Sequence, residues 1–501
     1  IVVAFRSYNY CELLRVMTEE KVYKTKVLIV GAGFSGLCTA IQLQKHGIND
    51  YIIVEKSDQI GGTWWENQYP GAECDVESHL YCYSFEPYPD WSRVYSGSRE
   101  IHQYIVHCAT KYNLFPHCHL EEIVTEAEFV DDKFWRIKSN KATYEAQFAV
   151  FSSSPLHYAN IPDIPGIKDY AGKIIHTSKW DSTYDFTNKH IAMIGCAASG
   201  IQCAPHLQQK TGAHLTIFQR TPQWILPKGN RNFTSLEKWI FRAFPWYHHI
   251  YRNILYCTHE LFFNIFYKDS LFGRISSMFG LAYMWWTIRN ADLRKRITPK
   301  YAMGCKRILA SDDFFQSIDK PNVEVVTTPI ERITKDAVVS EGKEHKVDVI
   351  VLATGFDLTG GISALKFTNA KNQEQLTAAA KDPREYYGVY LKNVKNFFSL
   401  LGYNSGSTYT SVVLYVESQV NHVVKMIQYM DKEKKQTVQV APQVFESFNK
   451  ELEEKSTHLV LDQCRSWYVK DGRNFTIYPD TVTHFDHSLS AVSLEKNFIF
   501  E

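Results

Sequence analysis

The sequence predicts an α/β fold built on two parallel-sheet units. Three observations carry this. Short apolar strands alternate with helix-like segments through most of the 501 residues. A glycine-rich turn set between a strand and a helix occurs twice, roughly 160 residues apart. An aromatic-rich stretch of helical pattern, from about 225 to 300, lies between the second unit and a later apolar strand.

In chain order, Val27–Val30 is a short apolar strand, followed by a glycine turn, a helix and a second strand at Tyr51–Val54. Ile191–Ile194 and His214–Phe218 repeat that design. Phe148–Phe151 and Val349–Leu352 are two further apolar strands, each followed by small residues. They read as crossings from one unit to the other. The expected organisation is an N-terminal extension over 1–16, since the first Met is Met17. A first nucleotide unit over 17–157, a second over 158–224 and a helical insertion over 225–300 follow. The second unit is completed by 301–357 and the first by 358–501.

Composition excludes several classes. A formal net charge of +1 gives no global field to recruit nucleic acid or an anionic membrane. The richest apolar stretches, Trp239–Phe266 and Leu271–Trp286, are broken by Arg242, Arg252 and Arg274, so no transmembrane segment is expected. Arg6 interrupts the N-terminal stretch, and no secretory signal is read there. Eleven cysteines without a CxxC suit reduced thiols in a cytoplasmic protein. A disulfide framework, a metal site and a dithiol reductase are not expected. An aromatic content of 14% suits a filled core or a site for large apolar ligands.

Gly31-Ala32-Gly33-Phe34-Ser35-Gly36 follows a strand and opens a helix. Gly31 permits the tight turn, Gly33 lets backbone approach a pyrophosphate, and Gly36 lets helix and strand pack closely. The helix N-terminus then holds the anion. Glu55, with Lys56 beside it, ends the next strand 19 residues beyond Gly36. A carboxylate there accepts from ribose hydroxyls and repels a 2′-phosphate. This is a Rossmann-like dinucleotide turn, and FAD is the expected ligand.

Gly195-Cys196-Ala197-Ala198-Ser199-Gly200 is the second turn, with alanine at the middle position. Its next strand ends in Gln219-Arg220-Thr221, with Arg220 20 residues after Gly200. A cation and a hydroxyl suit a 2′-phosphate, so NADPH is expected. The predicted fold is thus two Rossmann-like dinucleotide-binding domains, for FAD and NADPH, with a helical insertion in the second.

Other motifs are more specific. Gly61-Gly62-Thr63-Trp64 and Tyr69-Pro70-Gly71-Ala72-Glu73-Cys74-Asp75 follow the first unit. Tyr170, Gly172, His176, Trp180 and Asp181 are spaced as FxGxxxHxxxW(P/D), with Tyr170 for the Phe. Gly304-Cys305-Lys306-Arg307, Ala353-Thr354-Gly355-Phe356-Asp357, Gly402-Tyr403-Asn404-Ser405 and Cys464-Arg465-Ser466-Trp467-Tyr468 come later. Together these resemble the type I Baeyer–Villiger monooxygenases of the flavin-containing monooxygenase superfamily, over a span from about Val27 to Tyr468.

The resemblance implies that Gly62, Thr63 and Trp64 lie along FAD and that Tyr69 and Asp75 run beside its ring. It implies that Lys306 helps hold the 2′-phosphate, and that Arg307, supported by Asp75, reaches over the flavin. Trp467 is expected near the nicotinamide or the substrate mouth. Ser199 and Thr221 belong to the NADPH site. His176 is implied to couple domain movement to the flavin site, without acid–base work. The implied reaction inserts one oxygen of O2 beside a ketone carbonyl through a C4a-peroxyflavin, giving an ester or lactone. A fixed guanidinium suits this chemistry, because both the peroxide and the adduct on the carbonyl are anions. The implied partner is a small ketone or other apolar organic substrate.

Three positions depart from the family pattern. Ser154 stands where a glycine is usual, Pro155 removes an N–H, and Glu73 adds negative charge near the expected anion. They keep two alternatives open, an N- or S-oxygenating flavin enzyme and a flavoprotein that reduces oxygen without oxygenating a substrate.

Overall fold

The structure, a computed structural model, describes residues 21–152, 156, 158–357, 366–367 and 383–501. The extension at 1–16 and the substituted Ser154 and Pro155 lie outside the described residues.

The first sheet is built from β1 (Val22–Val30), β2 (Tyr51–Val54), β3 (Cys118–His119), β4 (Val124–Val130), β5 (Phe134–Ser139) and β6 (Thr143–Phe151). β1 starts five residues before its apolar run. Tyr23, Lys24 and Thr25 pair with Tyr144, Glu145 and Ala146, and this half-exposed end carries no continuous apolar signal. The second sheet is built from β7 (Lys173–His176), β8 (His190–Ile194), β9 (His214–Phe218), β10 (Val323–Val326) and β11 (Val349–Leu352). All its pairs are parallel, in the order β10-β9-β8-β11-β7. β8, β9 and β11 are mostly buried apolar runs, as a sheet covered on both faces requires.

The chain then returns to the first sheet. β12 (Lys366–Phe367) pairs with β4, and β13 (Phe397–Ser399) pairs with β6. That sheet runs β12-β4-β5-β6-β1-β2-β3. Helix α1 (Phe34–Lys45) leaves the first glycine turn, and α2 (Ala198–Gln208) leaves the second.

The aromatic stretch begins with a two-residue strand, Ile225–Leu226, paired with Leu309–Ala310. It continues as α3 (Ser235–Ala243), α4 (Pro245–Phe262), α5 (Leu271–Thr287) and α6 (Ala291–Ile297). Local chemistry sets these starts. Thr234 and Glu237 form a reciprocal capping box on α3, Pro245 occupies the first turn of α4, and Ser270 and Asn290 cap α5 and α6. Near the C-terminus, α7 (Val412–Lys432) packs on α1 within the largest core. Among the described residues, no helix is long and apolar enough to cross a membrane.

Candidate active site

Both glycine turns open at the carboxyl ends of their sheets, where strand order reverses. β1 lies between β2 and β6, and β8 lies between β9 and β11. Open α/β sheets hold their ligands at such points. Gly31 adopts φ +104°, and the residue after β6 closes on it. Ser152 Oγ donates to the carbonyls of Val30 (2.7 Å) and Gly31 (3.0 Å). A Cβ on Gly36 would stand 1.9 Å from the Gly31 carbonyl oxygen, and one on Gly200 2.8 Å from that of Gly195. Gly36 and Gly200 therefore pack helix on turn.

Gly31, Gly33, Phe34 and Ser35 from the first turn, with Gly195, Ala197 and Ser199 from the second, line one continuous cavity of about 1330 Å³. Glu55, Lys56, Gly62, Thr63, Trp64, Tyr69, Asp75, Arg220, Thr221, Lys306, Arg307 and Trp467 line it as well. The structure thus gathers residues from six separate sequence motifs around one cavity. Trp467 is half-exposed there and leans on Tyr468 at 4.3 Å, so it is not a buried core aromatic.

The arginine and its partner meet as the motifs imply. Arg307 Nη2 donates to Asp75 Oδ2 at 3.1 Å. Burial alone would lower the Arg307 pKa, but Asp75, and then Tyr468, outweigh it and hold the guanidinium charged. Burial pushes the neighbouring Cys74 thiol up to about 12, so it stays protonated.

Three features were not foreseen. Gln202, on α2, accepts from Tyr69 Oη at 2.8 Å. Its Nε2 donates to the Glu73 carbonyl (3.0 Å) and to Asp75 Oδ1 (3.2 Å). Lys228, whose side chain is 1% exposed, lies 2.7 Å from Glu73 Oε1 and 3.7 Å from Asp75 Oδ1. Arg93 and Asn230 also face the Glu73 carboxylate, at 3.6 and 3.3 Å. The expectation that Glu73 opposes Arg307 is therefore corrected, because its charge is taken up by Lys228. A cation follows in principle from an acid set beside Asp75, but no spacing in the sequence links 228 to 73.

The third feature corrects the cysteine reading. Cys305 and Cys464 form a disulfide across 159 residues of sequence. It joins the Gly304–Arg307 element to the segment holding Trp467. Eight other described cysteines are free thiols. No CxxC announces a pair so distant in sequence. Among the described residues, no group of His, Cys, Asp and Glu side chains could hold a metal ion.

The residues present fit two dinucleotides. Glu55 is buried, and its oxygens accept from the backbone N–H of Ala32 (2.7 Å) and Ser57 (2.9 Å), each keeping a further lone pair. The buried hydroxyls of Thr410 and Ser466, two residues of the cavity lining, have no hydrogen-bond partner among the described residues. Lys56 pairs with Glu66. On the other side, Arg220 and Lys306 form no ion pair among the described residues. Burial and then the neighbouring Arg220 lower the Lys306 pKa.

The Tyr170–Asp181 segment lies elsewhere. None of Tyr170, Gly172, His176, Trp180 and Asp181 lines the cavity. Tyr170 Oη donates to the Val347 carbonyl at 2.9 Å, and Trp180 stacks on Phe186 at 5.3 Å. Asp181 pairs with Lys173, which with Thr183 holds its carboxyl below the usual range. His176 Nδ1 accepts from Ser178 N at 3.1 Å, and burial lowers its pKa. These residues pin the entry to the second sheet.

Known proteins share this arrangement along nearly the whole chain. A Baeyer–Villiger monooxygenase of Streptomyces coelicolor is 33% identical over 482 residues, 95% of this chain and 93% of that protein. The chain belongs to the Baeyer–Villiger monooxygenase family. An FAD-binding monooxygenase of Aspergillus niger is 34% identical over 495 residues, covering 94% of this chain and 81% of the relative. Residues 28–243 match the pyridine nucleotide-disulphide oxidoreductase family model. Among solved structures, an oxidized steroid monooxygenase bound to NADP superposes with a TM-score of 0.85 at 26% identity, over 95% of this chain and 99% of that one.

Proposed function

We propose that this chain is an FAD- and NADPH-dependent monooxygenase that inserts one oxygen atom of O2 beside a ketone carbonyl, giving an ester or lactone. The observation that carries this is Arg307, held charged by Asp75 on the wall of a cavity that both glycine turns share. FAD, reduced by NADPH, supplies the electrons that activate oxygen. The chain's own residues do the rest. The helix N-terminus after Gly31 and the carboxylate of Glu55 hold the first dinucleotide. Arg220, Thr221 and Lys306 hold the 2′-phosphate of the second. Arg307 stabilises the oxyanion that forms on the substrate carbonyl, and Asp75 fixes its direction. Trp467 stands at the rim, where the substrate enters. The boundaries at 157, 224, 300 and 357 are our division of the chain into nucleotide domains and insertion. Eight free thiols against the one Cys305–Cys464 disulfide favour the cytoplasm, which we propose as its compartment.

The test is a panel of ketones incubated with the holoenzyme and NADPH, read by mass for the gain of one oxygen. Arg307→Ala should keep bound FAD and reduction by NADPH while losing ester formation. Removal of one preorganised donor of this kind costs about 10²–10³ in rate. Ester formation at the parent rate in that variant would overturn the assignment.

A further inference from the structure

The helical insertion is inverted with respect to water. On α4 the buried side chains are His248, Arg252 and His259. Trp246, Ile250, Ile254 and Leu261, at helical spacing, are exposed. Arg252, which breaks the apolar run in the sequence, points inward and donates to the His79 carbonyl at 2.7 Å. On α5 the outward residues include Leu271, Ile275, Met278 and Trp285, while Gly280 and Met284 face the protein.

Of the 27 large apolar side chains exposed among the described residues, 18 fall between Leu236 and Trp286. Single exposed apolar residues are ordinary on any surface, but this concentration in about a tenth of the chain is not. Four of the 18 are tryptophans, among them Trp286 at 87% exposure. Rings with an apolar body and a polar edge are the residues that settle at a lipid headgroup layer.

Charge points the same way. Residues 235–300 hold ten Lys and Arg against four Asp and Glu, a net +6 in a chain whose total is +1. Arg252 points inward and Arg242 and Lys268 pair with Asp90 and Asp462, so the outward surplus rests largely on Arg289–Lys300, beside the end of α5. The near-neutral total conceals a cationic insertion on an acidic remainder. A second copy meeting this face through a two-fold contact would set cationic segment against cationic segment. Anionic headgroups complement it.

We propose that α3, α4 and α5 dock in the plane of an anionic phospholipid bilayer, with their apolar side chains in the headgroup and upper acyl region and their flanking cations at the lipid phosphates. The helices lie on the membrane and do not cross it. This stands apart from the catalytic reading.

The experiment is co-sedimentation of the holoenzyme with phosphatidylcholine vesicles, with and without about one-third phosphatidylserine. Binding should be about tenfold stronger to the anionic vesicles. It should weaken as salt rises, because the screening length shortens. A Trp246→Glu/Trp285→Glu double variant, altered at two exposed positions outside the cavity lining, should keep its FAD and its thermal midpoint and lose vesicle binding. Failure of the folded holoenzyme to bind anionic vesicles overturns the proposal. So does equal binding to both vesicle types, or a dimer in solution that does not bind vesicles and that the double variant dissociates.

Discussion

Lys228 and Glu73, 155 residues apart in sequence, form an ion pair of 2.7 Å directly behind the carboxylate that orients Arg307. The pair turns an acid that would weaken the site into part of its frame. Lys228→Met removes the cation that the Glu73 and Asp75 carboxylates share. It should destabilise the protein by about 1–3 kcal/mol, less than a fully enclosed pair because Glu73 is partly exposed. Adding Glu73→Gln should restore at least half of that loss. Denaturant titration of the two single variants and the double variant measures the coupling, and additive losses would show that the pair is not a unit.

Asp75→Asn keeps the shape beside Arg307 and removes its charge. Reduction by NADPH should continue, while oxygenation falls by about tenfold to a hundredfold and peroxide release rises to match. Parallel assays of NADPH consumption, product and peroxide distinguish this from a folding defect, which would lower all three together.

Arg220→Ala and Lys306→Ala each remove a cation from the expected 2′-phosphate site. Each should raise the Kd for NADPH by about tenfold to a hundredfold with little change for NADH, since a charged hydrogen bond is worth about 1.5–3 kcal/mol. Because the Lys306 pKa is depressed in the free protein, NADPH affinity should decline with rising pH before an ordinary lysine would titrate. Isothermal titration across that range tests both statements.

His259 carries a pH signature of its own. Its Nε2 donates to Glu77 Oε2 at 2.7 Å and its Nδ1 faces the Tyr409 carbonyl, so both nitrogens carry protons. Burial opposes that charge, but Glu77 prevails and raises the pKa above 6.5. The imidazolium's contribution is complete below 6.5 and fades as pH rises through the folded value. Glu77 is shifted down from 4.5 despite its burial, through His259, so its share fades only as pH falls below 4.5. Stability from this pair should therefore be fullest between 4.5 and 6.5. His259→Gln should flatten the alkaline fall in thermal midpoint, and an unchanged profile would count against the pair.

Glu385 behaves in the opposite sense to Glu77. Burial raises its pKa to about 8, with Ser399 and the Tyr403 N–H offsetting only part. The folded protein retains a proton that the unfolded chain releases above 4.5, so stability falls as pH climbs from 4.5 to about 8. Glu385→Gln should stabilise by about 1–3 kcal/mol at the upper end of that window and little at its lower end. A gain independent of pH would point to packing instead.

The strands and both glycine turns were legible because each is local. Val27–Val30 and Tyr51–Val54 announce themselves by composition, and Glu55 and Arg220 by distance from a glycine. Trp467 and Arg307 were legible only through resemblance to a family. What stayed hidden were pairings over long separations. Lys228 follows an unremarkable Ile225-Leu226-Pro227, Gln202 reads as one more polar residue on a helix, and Cys305 and Cys464 share no spacing rule. The inward course of Arg252 was hidden for another reason. An arginine in an apolar run reads as an interruption until the direction of its side chain is known.

Gln202 holds Tyr69 with its oxygen, and Glu73 and Asp75 with its nitrogen, from a helix that belongs to the other glycine turn. It works as a linkage between the two glycine-turn units. If the second sheet rotates as its nucleotide arrives, the 69–75 segment must travel with α2 or three hydrogen bonds must break together. The aim of Arg307 is then set partly by where the second helix stands.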